Sequence, residues 1–270
     1  VELARQAALE GFSVVAAAGG DGTVHEVANG ILEAGRPAVG FAILPLGSAN
    51  DYLASLDYEA QLNDKREGPR LVDVGLIRSA PTLTLPHSGG REPDGRHKYF
   101  VCCLGIGFNG MVTTEARKIR SLQGIPLYGL ATLKALWYRY QTPRMTIAFD
   151  DEPEQTTPTL LFSVMVGRRE GGFVLAPEAR LDDGQFDIVH ARDLSRWEVV
   201  KFLPRVALFG PPRDHPKISL RRCRKLRLRS EAPLIIHADG EFFCTPDEDV
   251  RAVEVELLPR ALRIVDLRFE

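Results

Sequence analysis

Two apolar runs, Phe12 to Ala18 and Ala38 to Leu44, each end in a loop of glycine and small polar residues, and each loop leads into a helical pattern. That repetition constrains the chain more than any other feature. Behind the first loop, Val24, Val27, Ala28, Ile31 and Leu32 form one apolar stripe at helical period, closed by Gly35. Thr23-Val24-His25-Glu26 has the form of a capping box, and Ser48 with Asp51 repeats it before a short helix to Leu56. Ahead of the first run, Val1, Ala4, Ala7 and Ala8 recur at helical spacing up to Gly11. Continuous apolar strands alternating with helices specify a parallel α/β sheet whose strands are buried on both faces. A helix that feeds such a strand normally follows an earlier one, so at least one βα unit is expected upstream of Val1.

From about Leu71 the texture changes. Short β-like runs dominate, at Leu71–Ile77, Lys98–Leu104, Arg144–Phe149, Thr159–Val166, Gln185–His190, Lys217–Arg229 and Val253–Leu258. Helical patterns interrupt them at Val112–Ser121, Leu127–Tyr140 and Ser195–Leu208, and Leu85 to His97 reads as a long exposed hairpin loop. The polar stretch Asp64–Pro69 marks a boundary. The expected organisation is an α/β domain over residues 1–69 and a β-rich domain over 70–258, with 259–270 open to a return to the first.

Composition excludes several classes. No stretch of the 270 residues approaches the ~18 consecutive apolar positions of a membrane-spanning helix, and the start has no signal-peptide pattern. A net charge of −2 gives no general attraction to nucleic acid. The four cysteines, two of them adjacent at Cys102 and Cys103, read as buried thiols of a reducing, cytoplasmic compartment.

Gly19-Gly20-Asp21-Gly22-Thr23 brings several phosphate-binding resources together. Glycines admit a phosphate close to the backbone, and a helix N-terminus offers free N–H groups with partial positive charge. Beside a polyphosphate, the Asp21 carboxylate makes sense through a metal ion, a metal-bound water or a hydroxyl proton. Ser48, in the second loop, should lie at the same carboxyl edge of the sheet, where open α/β sheets bind ligands. There is no Walker A lysine and no nucleophile elbow, and the six histidines have no metal-ligand spacing. Gly105-Ile106-Gly107-Phe108-Asn109-Gly110 matches a dinucleotide fingerprint but lacks the acidic residue ~20 positions later, so it reads as a local glycine turn.

Ala18-Gly-Gly-Asp-Gly-Thr-Val-His-Glu-Val-Ala-Asn-Gly30 followed by Leu44-Pro-Leu-Gly-Ser-Ala-Asn-Asp51 resembles the diacylglycerol kinase catalytic-domain family, which includes bacterial lipid kinases, sphingosine kinases and ceramide kinases. Asp73-Val-Gly75, the segment Ala176 to Asp187 and Asp239-Gly240-Glu241 agree with it in order. The resemblance implies a nucleotide-binding domain like those of phosphofructokinase and NAD kinase, followed by a β-sandwich-like lipid-binding domain, with ATP between them. It places Gly19, Gly20, Asp21, Gly22, Thr23, Ser48 and Asn50 at the nucleotide. Asp183, with backbone oxygens near Arg180 and Gln185, matches a structural Mg²⁺ site, and Asp51 and Asp73 resemble aspartates tied to metal-bound water. Phosphoryl transfer also needs a proton acceptor. Glu241 or Asp239 is expected in that role, with Asp21 serving the metal or orienting the hydroxyl. Against the family pattern, Ser48 stands where threonine is usual, and the family's first strand and Asn-Pro turn are absent.

The resemblance implies ATP and a membrane-lipid acceptor as partners, at the inner face of the membrane without spanning it, and leaves a homodimer open. Lys217 to Arg229 carries seven basic residues and no acid, and reads more readily as a solvated strand face than as an anionic-lipid dock. The apolar stripe of Leu127–Tyr140 fits a core helix or the wall of an acyl-chain cleft. The expected activity is Mg²⁺-dependent transfer of the ATP γ-phosphate to a diacylglycerol-like lipid. A soluble-substrate kinase of the NAD kinase type and a non-catalytic lipid- or nucleotide-binding regulator are the alternatives.

Overall fold

In the computed structural model, which describes residues 1–47, 50–62, 69–80 and 95–265, the glycine loop after the first apolar run turns directly into a helix. The chain order opens with α1 (Glu2–Leu9), β1 (Val14–Gly19), α2 (Asp21–Glu33), β2 (Gly40–Pro45), α3 (Asp51–Leu62) and β3 (Arg70–Ser79). It continues with β4 (His97–Phe100), β5 (Cys103–Gly107), α4 (Phe108–Ala116), α5 (Gly124–Tyr138), β6 (Arg144–Phe149), β7 (Gln155–Pro158) and β8 (Leu161–Met165). Next come β9 (Arg169–Glu170), β10 (Phe173–Val174), β11 (Phe186–Ala191), α6 (Arg196–Phe209) and β12 (Ile218–Cys223). The last elements are β13 (Lys225–Ser230), β14 (Ile236–Ala238), β15 (Glu241–Cys244) and β16 (Ala252–Ile264).

β1 and β2 pair in parallel, as their connection through α2 requires. The long strand β16 pairs with β3 and β13 antiparallel and, at Arg263 and Ile264, runs parallel to Gly40 and Phe41 of β2. One eight-stranded sheet thereby extends from the α/β part into the β-rich part. A second, six-stranded sheet in the order β12-β11-β8-β5-β14-β15 covers it. Phe100 stacks on Phe186 and Phe149 on Phe162 between the two sheets, so their inner faces form a sandwich core. The fold is α/β with a parallel sheet, followed by a β-sandwich.

Several expectations need adjustment. Of the six residues of β1 only Ala17 is fully buried among the residues described. α2 begins at Asp21 with Gly20 as its cap and no side-chain capping bond, so Thr23 sits inside the first turn. α3 starts at Asp51 and runs on to Leu62, well past Leu56. Lys98–Leu104 is two strands in different sheets, and so is Lys217–Arg229. The expected loop at Leu85–His97 and boundary at Asp64–Pro69 lie mostly outside the described residues, and Ser48 wholly so. All four cysteines are buried and unbridged.

Candidate active site

The two glycine loops meet at the carboxyl edge of β1 and β2. A Cβ on Gly47 would fall on the backbone of Gly20, and one on Gly20 would come within 3.1 Å of the Gly47 Cα. Only glycine permits this approach. Asn50, in a left-handed conformation at φ 51°, donates from Nδ2 to the Gly47 carbonyl at 2.9 Å and so fixes the second loop.

Asp21 and Asp51 stand at the first turns of α2 and α3. The Tyr52 amide donates to Asp21 Oδ1 at 3.4 Å, and the Gly172 amide, between β9 and β10, donates to Asp51 Oδ2 at 2.9 Å. Burial pushes the Asp21 carboxyl above the usual carboxylate range, with the Asp239 charge adding to it and the backbone donors opposing. Asp51 is pushed up to about 6, first by burial and then by the neighbouring Asp21 charge, against the pull of the Gly172 amide.

Asp239 is in a different state. It occupies a two-residue hairpin turn between β14 and β15, where Asp239 and Gly240 both take positive φ, 51° and 86°. Its side chain accepts from His25 Nδ1 and from the amides of Val101, Cys102 and Cys103, each at 2.9 Å. Those three amides belong to the segment where the chain leaves β4 in one sheet for β5 in the other. Burial opposes the Asp239 charge, but the His25 and backbone bonds outweigh it and hold the carboxyl below the usual range. Asn29, one turn beyond His25, exchanges hydrogen bonds with the Tyr99 backbone in both directions at 3.0 Å. α2 is thus clamped to the sheet crossover.

Glu241, two residues on, is half exposed and accepts from Arg117 Nη2 at 2.8 Å. Its Oε1 lies 3.7 Å from where a Cβ on Gly22 would stand, so it overlooks the start of α2. Arg117 also donates to the Gly240 carbonyl and lies over the Phe242 ring.

Asp73, Arg180, Asp183 and Gln185 gather elsewhere. Asp73 is fully buried and accepts from the Gly184 amide at 2.7 Å and the Arg260 amide at 2.8 Å. Burial pushes its carboxyl up, against those two donors. Asp183 accepts from the Gln185 amide at 3.1 Å and is paired with Arg222 at 3.3 Å. Arg180 lies 3.5 Å from Asp182 on the same turn. A cation here would compete with the Arg222 guanidinium. Asp51, beside the glycine loops, is a second carboxylate of the kind Mg²⁺ takes, since that ion is commonly held by one or two carboxylates together with phosphates and water. Among the described residues no cage of three or more His, Cys, Asp or Glu forms.

A cavity of about 190 Å³ opens beside Asp21, Asp51 and Asp239, where ~10–15 Å³ is enough for one water. It runs away from the carboxylates between the second sheet and helices α4, α5 and α6. Its deeper walls are apolar, with Leu160, Val189, Val199, Phe202, Leu203 and Val206 among them. Tyr128 and Thr132 of α5 line it, whereas Leu130, Leu133 and Trp137 of the expected apolar stripe are exposed and only Leu136 of that stripe is fully buried, so the stripe is neither a core face nor the cavity wall. Near the mouth, Glu170 accepts from Asn109 Nδ2 at 2.7 Å and His237 Nε2 at 3.0 Å, and Ser163 donates to its second oxygen at 2.9 Å. Sequence reasoning missed Glu170, Arg117, His237 and the pairing of His25 with Asp239. Of these only His25 and Asp239 fell within motifs already quoted.

Residues 1–76 match the diacylglycerol kinase catalytic domain, and residues 102–266 match the YegS C-terminal NAD kinase beta sandwich-like domain. A probable lipid kinase YegS-like protein of Chromohalobacter salexigens is 31% identical over 251 residues, which cover 89% of this chain and 73% of that protein. A diacylglycerol kinase of Staphylococcus saprophyticus is 27% identical over 240 residues, 86% of this chain and 72% of that one. The crystal structure of a diacylglycerol kinase from Bacillus anthracis superposes with a TM-score of 0.63 at 19% identity, covering 97% of this chain and 80% of that one, which speaks to fold. On the strength of both domain matches and the first relative, this chain belongs to the diacylglycerol kinase catalytic-domain family.

Proposed function

We propose that the chain is a lipid kinase that transfers the γ-phosphate of ATP to a hydroxyl of a diacylglycerol-like lipid, with Mg²⁺ bound at Asp51. The observation that carries this reading is the continuity of the carboxylate cluster with a deep apolar cavity. A soluble acceptor would have no use for walls of valine, leucine and phenylalanine, whereas acyl chains recover hydrophobic free energy there.

In this reading residues 1–69, with 259–270, hold ATP, and residues 70–258 hold the lipid. Gly19, Gly20, Gly22, Thr23 and Asn50 surround the phosphates, at the N-terminus of α2 and the close contact of the two loops. Bound Mg²⁺ would neutralise charge on the phosphate oxygens. Asp21 receives the proton of the acceptor hydroxyl as its oxygen bonds to the γ-phosphorus and the bond to the ADP oxygen breaks. Three facts favour Asp21 over the carboxylates expected from the motif. It lines the cavity, as Glu241 does not; burial raises its carboxyl, where that of Asp239 is held down; and among the described residues no side chain donates to it, as His25 does to Asp239 and Arg117 to Glu241. Asp239 already accepts four hydrogen bonds, which makes it a weak base and a positioning group for the crossover. Glu241 with Arg117 faces the glycine loop from outside the cavity and assists at the nucleotide.

The test follows labelled γ-phosphate from Mg·ATP into a total lipid extract, comparing the chain with Asp21→Asn. A labelled lipid that vanishes in the variant is the expected result. Folded protein that labels no lipid either as this chain or with its upstream strand restored, or a variant that labels it equally well, overturns the reading.

A further inference from the structure

The two tryptophans of the chain, Trp137 and Trp197, meet edge to face at the surface, with ring centroids 6.3 Å apart. They come from different helices and remain 57% and 73% exposed. On α5, Pro126, Leu130, Leu133 and Trp137 recur at helical spacing on one exposed face, with Tyr138 beside them. On α6, Trp197, Lys201, Pro204, Arg205 and Leu208 share the outward face, and exposed Phe209 follows. The opposite face of α6, Val199, Phe202, Leu203 and Val206, lines the cavity, and no residue of this helix is fully buried. A single helix layer therefore separates the apolar cavity from an apolar exterior.

Charge narrows what covers that exterior. α5 carries no acidic residue. The one acid of α6, Glu198, closes the capping box with Ser195 and pairs with Lys217 at 3.1 Å. The side chains of Lys134, Lys201 and Arg205 make no ion pair or hydrogen bond among the described residues. The basic run Lys217–Arg229 differs in this respect. There Arg221 is paired with Glu152, Arg222 with Asp183 and Asp187, Arg229 with Glu154, and Lys217 with Glu198, so four of the seven cations are partnered, and no exposed aromatic side chain accompanies them. Exposed tryptophan and leucine ringed by unpaired cations match the chemistry of an anionic lipid surface, where indoles settle at headgroup level and cations meet phosphates. Among the described residues no helix is long and apolar enough to cross a membrane, so such a contact stays at the interface.

We propose that the outward faces of α5 and α6 dock the protein on an anionic bilayer, with Trp137 and Trp197 in the headgroup layer and Lys134, Lys201 and Arg205 against lipid phosphates. The wall of the cavity then lies on the membrane from which the acceptor comes. The purpose of this surface rests on the lipid-kinase reading, but its test does not require turnover.

Because both tryptophans sit on this face, their emission reports it directly. The full chain is titrated with vesicles of phosphatidylcholine alone, and of phosphatidylcholine with an equal part of phosphatidylglycerol, each with and without brominated acyl chains. The expected result is a blue shift and bromine quenching with the anionic vesicles, and at least about tenfold weaker binding for K201E/R205E with an unchanged melting temperature. Unshifted tryptophan emission from folded protein overturns the proposal. So does vesicle binding that K201E/R205E leaves intact, which puts the dock elsewhere. A blue shift that follows protein concentration without vesicles assigns the face to a second copy instead. Vesicle binding without lipid phosphorylation would refute the kinase reading and leave this one standing; phosphorylation without any change in tryptophan emission would do the reverse.

Discussion

Asp21, Asp239 and Glu241 converge on one neighbourhood, and what donates to each oxygen separates their chemistry. Asp239, bonded to His25 and three amides, holds a sheet crossover; Asp21 meets backbone amides alone, and burial keeps its proton affinity raised. Asp21→Asn is expected to lower kcat by about 10²–10⁴-fold without loss of stability, as the loss of a general base does. Asp239→Asn should instead cost about 3 kcal/mol or more of unfolding free energy, because it removes the buried carboxylate that His25 and three amides donate to and turns an amide toward those backbone donors. Chemical denaturation and turnover measured together separate the two. Asp51 gives a pH prediction. Its carboxyl is raised from 3.8 to about 6 on folding, so the native state binds the extra proton between those values. Stability from this residue is greatest below pH 3.8 and falls as pH rises through 6, by about 3 kcal/mol. Asp51→Asn should therefore raise the melting temperature of the apo protein at pH 7 while weakening Mg²⁺-dependent activity. A melting temperature that does not rise would show that the Asp51 charge is not strained.

At the scale of elements, the parallel pair and its glycine loops were legible because apolar runs and glycines act locally. The sheet crossover was not. Lys98 to Leu104 reads as one strand, yet it is divided between two sheets at Val101 and Cys102. The group that satisfies the amides of that break is Asp239, 137 residues beyond Cys102. Local pattern has no access to a partner so distant. The same applies to Lys217–Arg229, where Asp150 Oδ1 accepts from the amides of Arg224 and Lys225 at the break. Within the site, Asp21, Asp51, Asp239 and Glu241 could be found from sequence, but their division of labour could not, because it depends on donors from β4, β5, β9 and α4. The contact of the two loops gives a test at this scale. Gly47→Ala would force the second loop away from Gly20 by roughly the size of a methyl group. Displacements of about 1 Å at a reacting centre cost about a hundredfold in rate. A drop of that order in kcat/KM for ATP, with normal thermal unfolding, is the expected outcome; near-normal turnover would mean that the loops do not jointly hold the nucleotide.

Taken as a whole, the molecule has one long strand, β16, tying the sheet of the glycine loops to the sandwich, and α2 clamped to the crossover by His25 and Asn29. The phosphate-side carboxylates and the apolar cavity are thus parts of one braced body. A substrate reaching both must be long, polar at one end and apolar at the other. This predicts that filling the far end of the cavity harms long acceptors more than short ones. Val206 lines the cavity from α6, together with the apolar Phe202 and Leu203, and is only partly buried, so a larger residue there has room to enter without collapsing the core. Val206→Trp should raise KM for a diacylglycerol with long acyl chains by about tenfold or more, since each methylene kept out of an apolar site forgoes ~0.8 kcal/mol. A short-chain diacylglycerol should be phosphorylated at close to the normal rate, and KM for ATP should stay unchanged. Equal losses for both chain lengths would place the acyl chains outside the cavity and leave its apolar walls without the role assigned to them here.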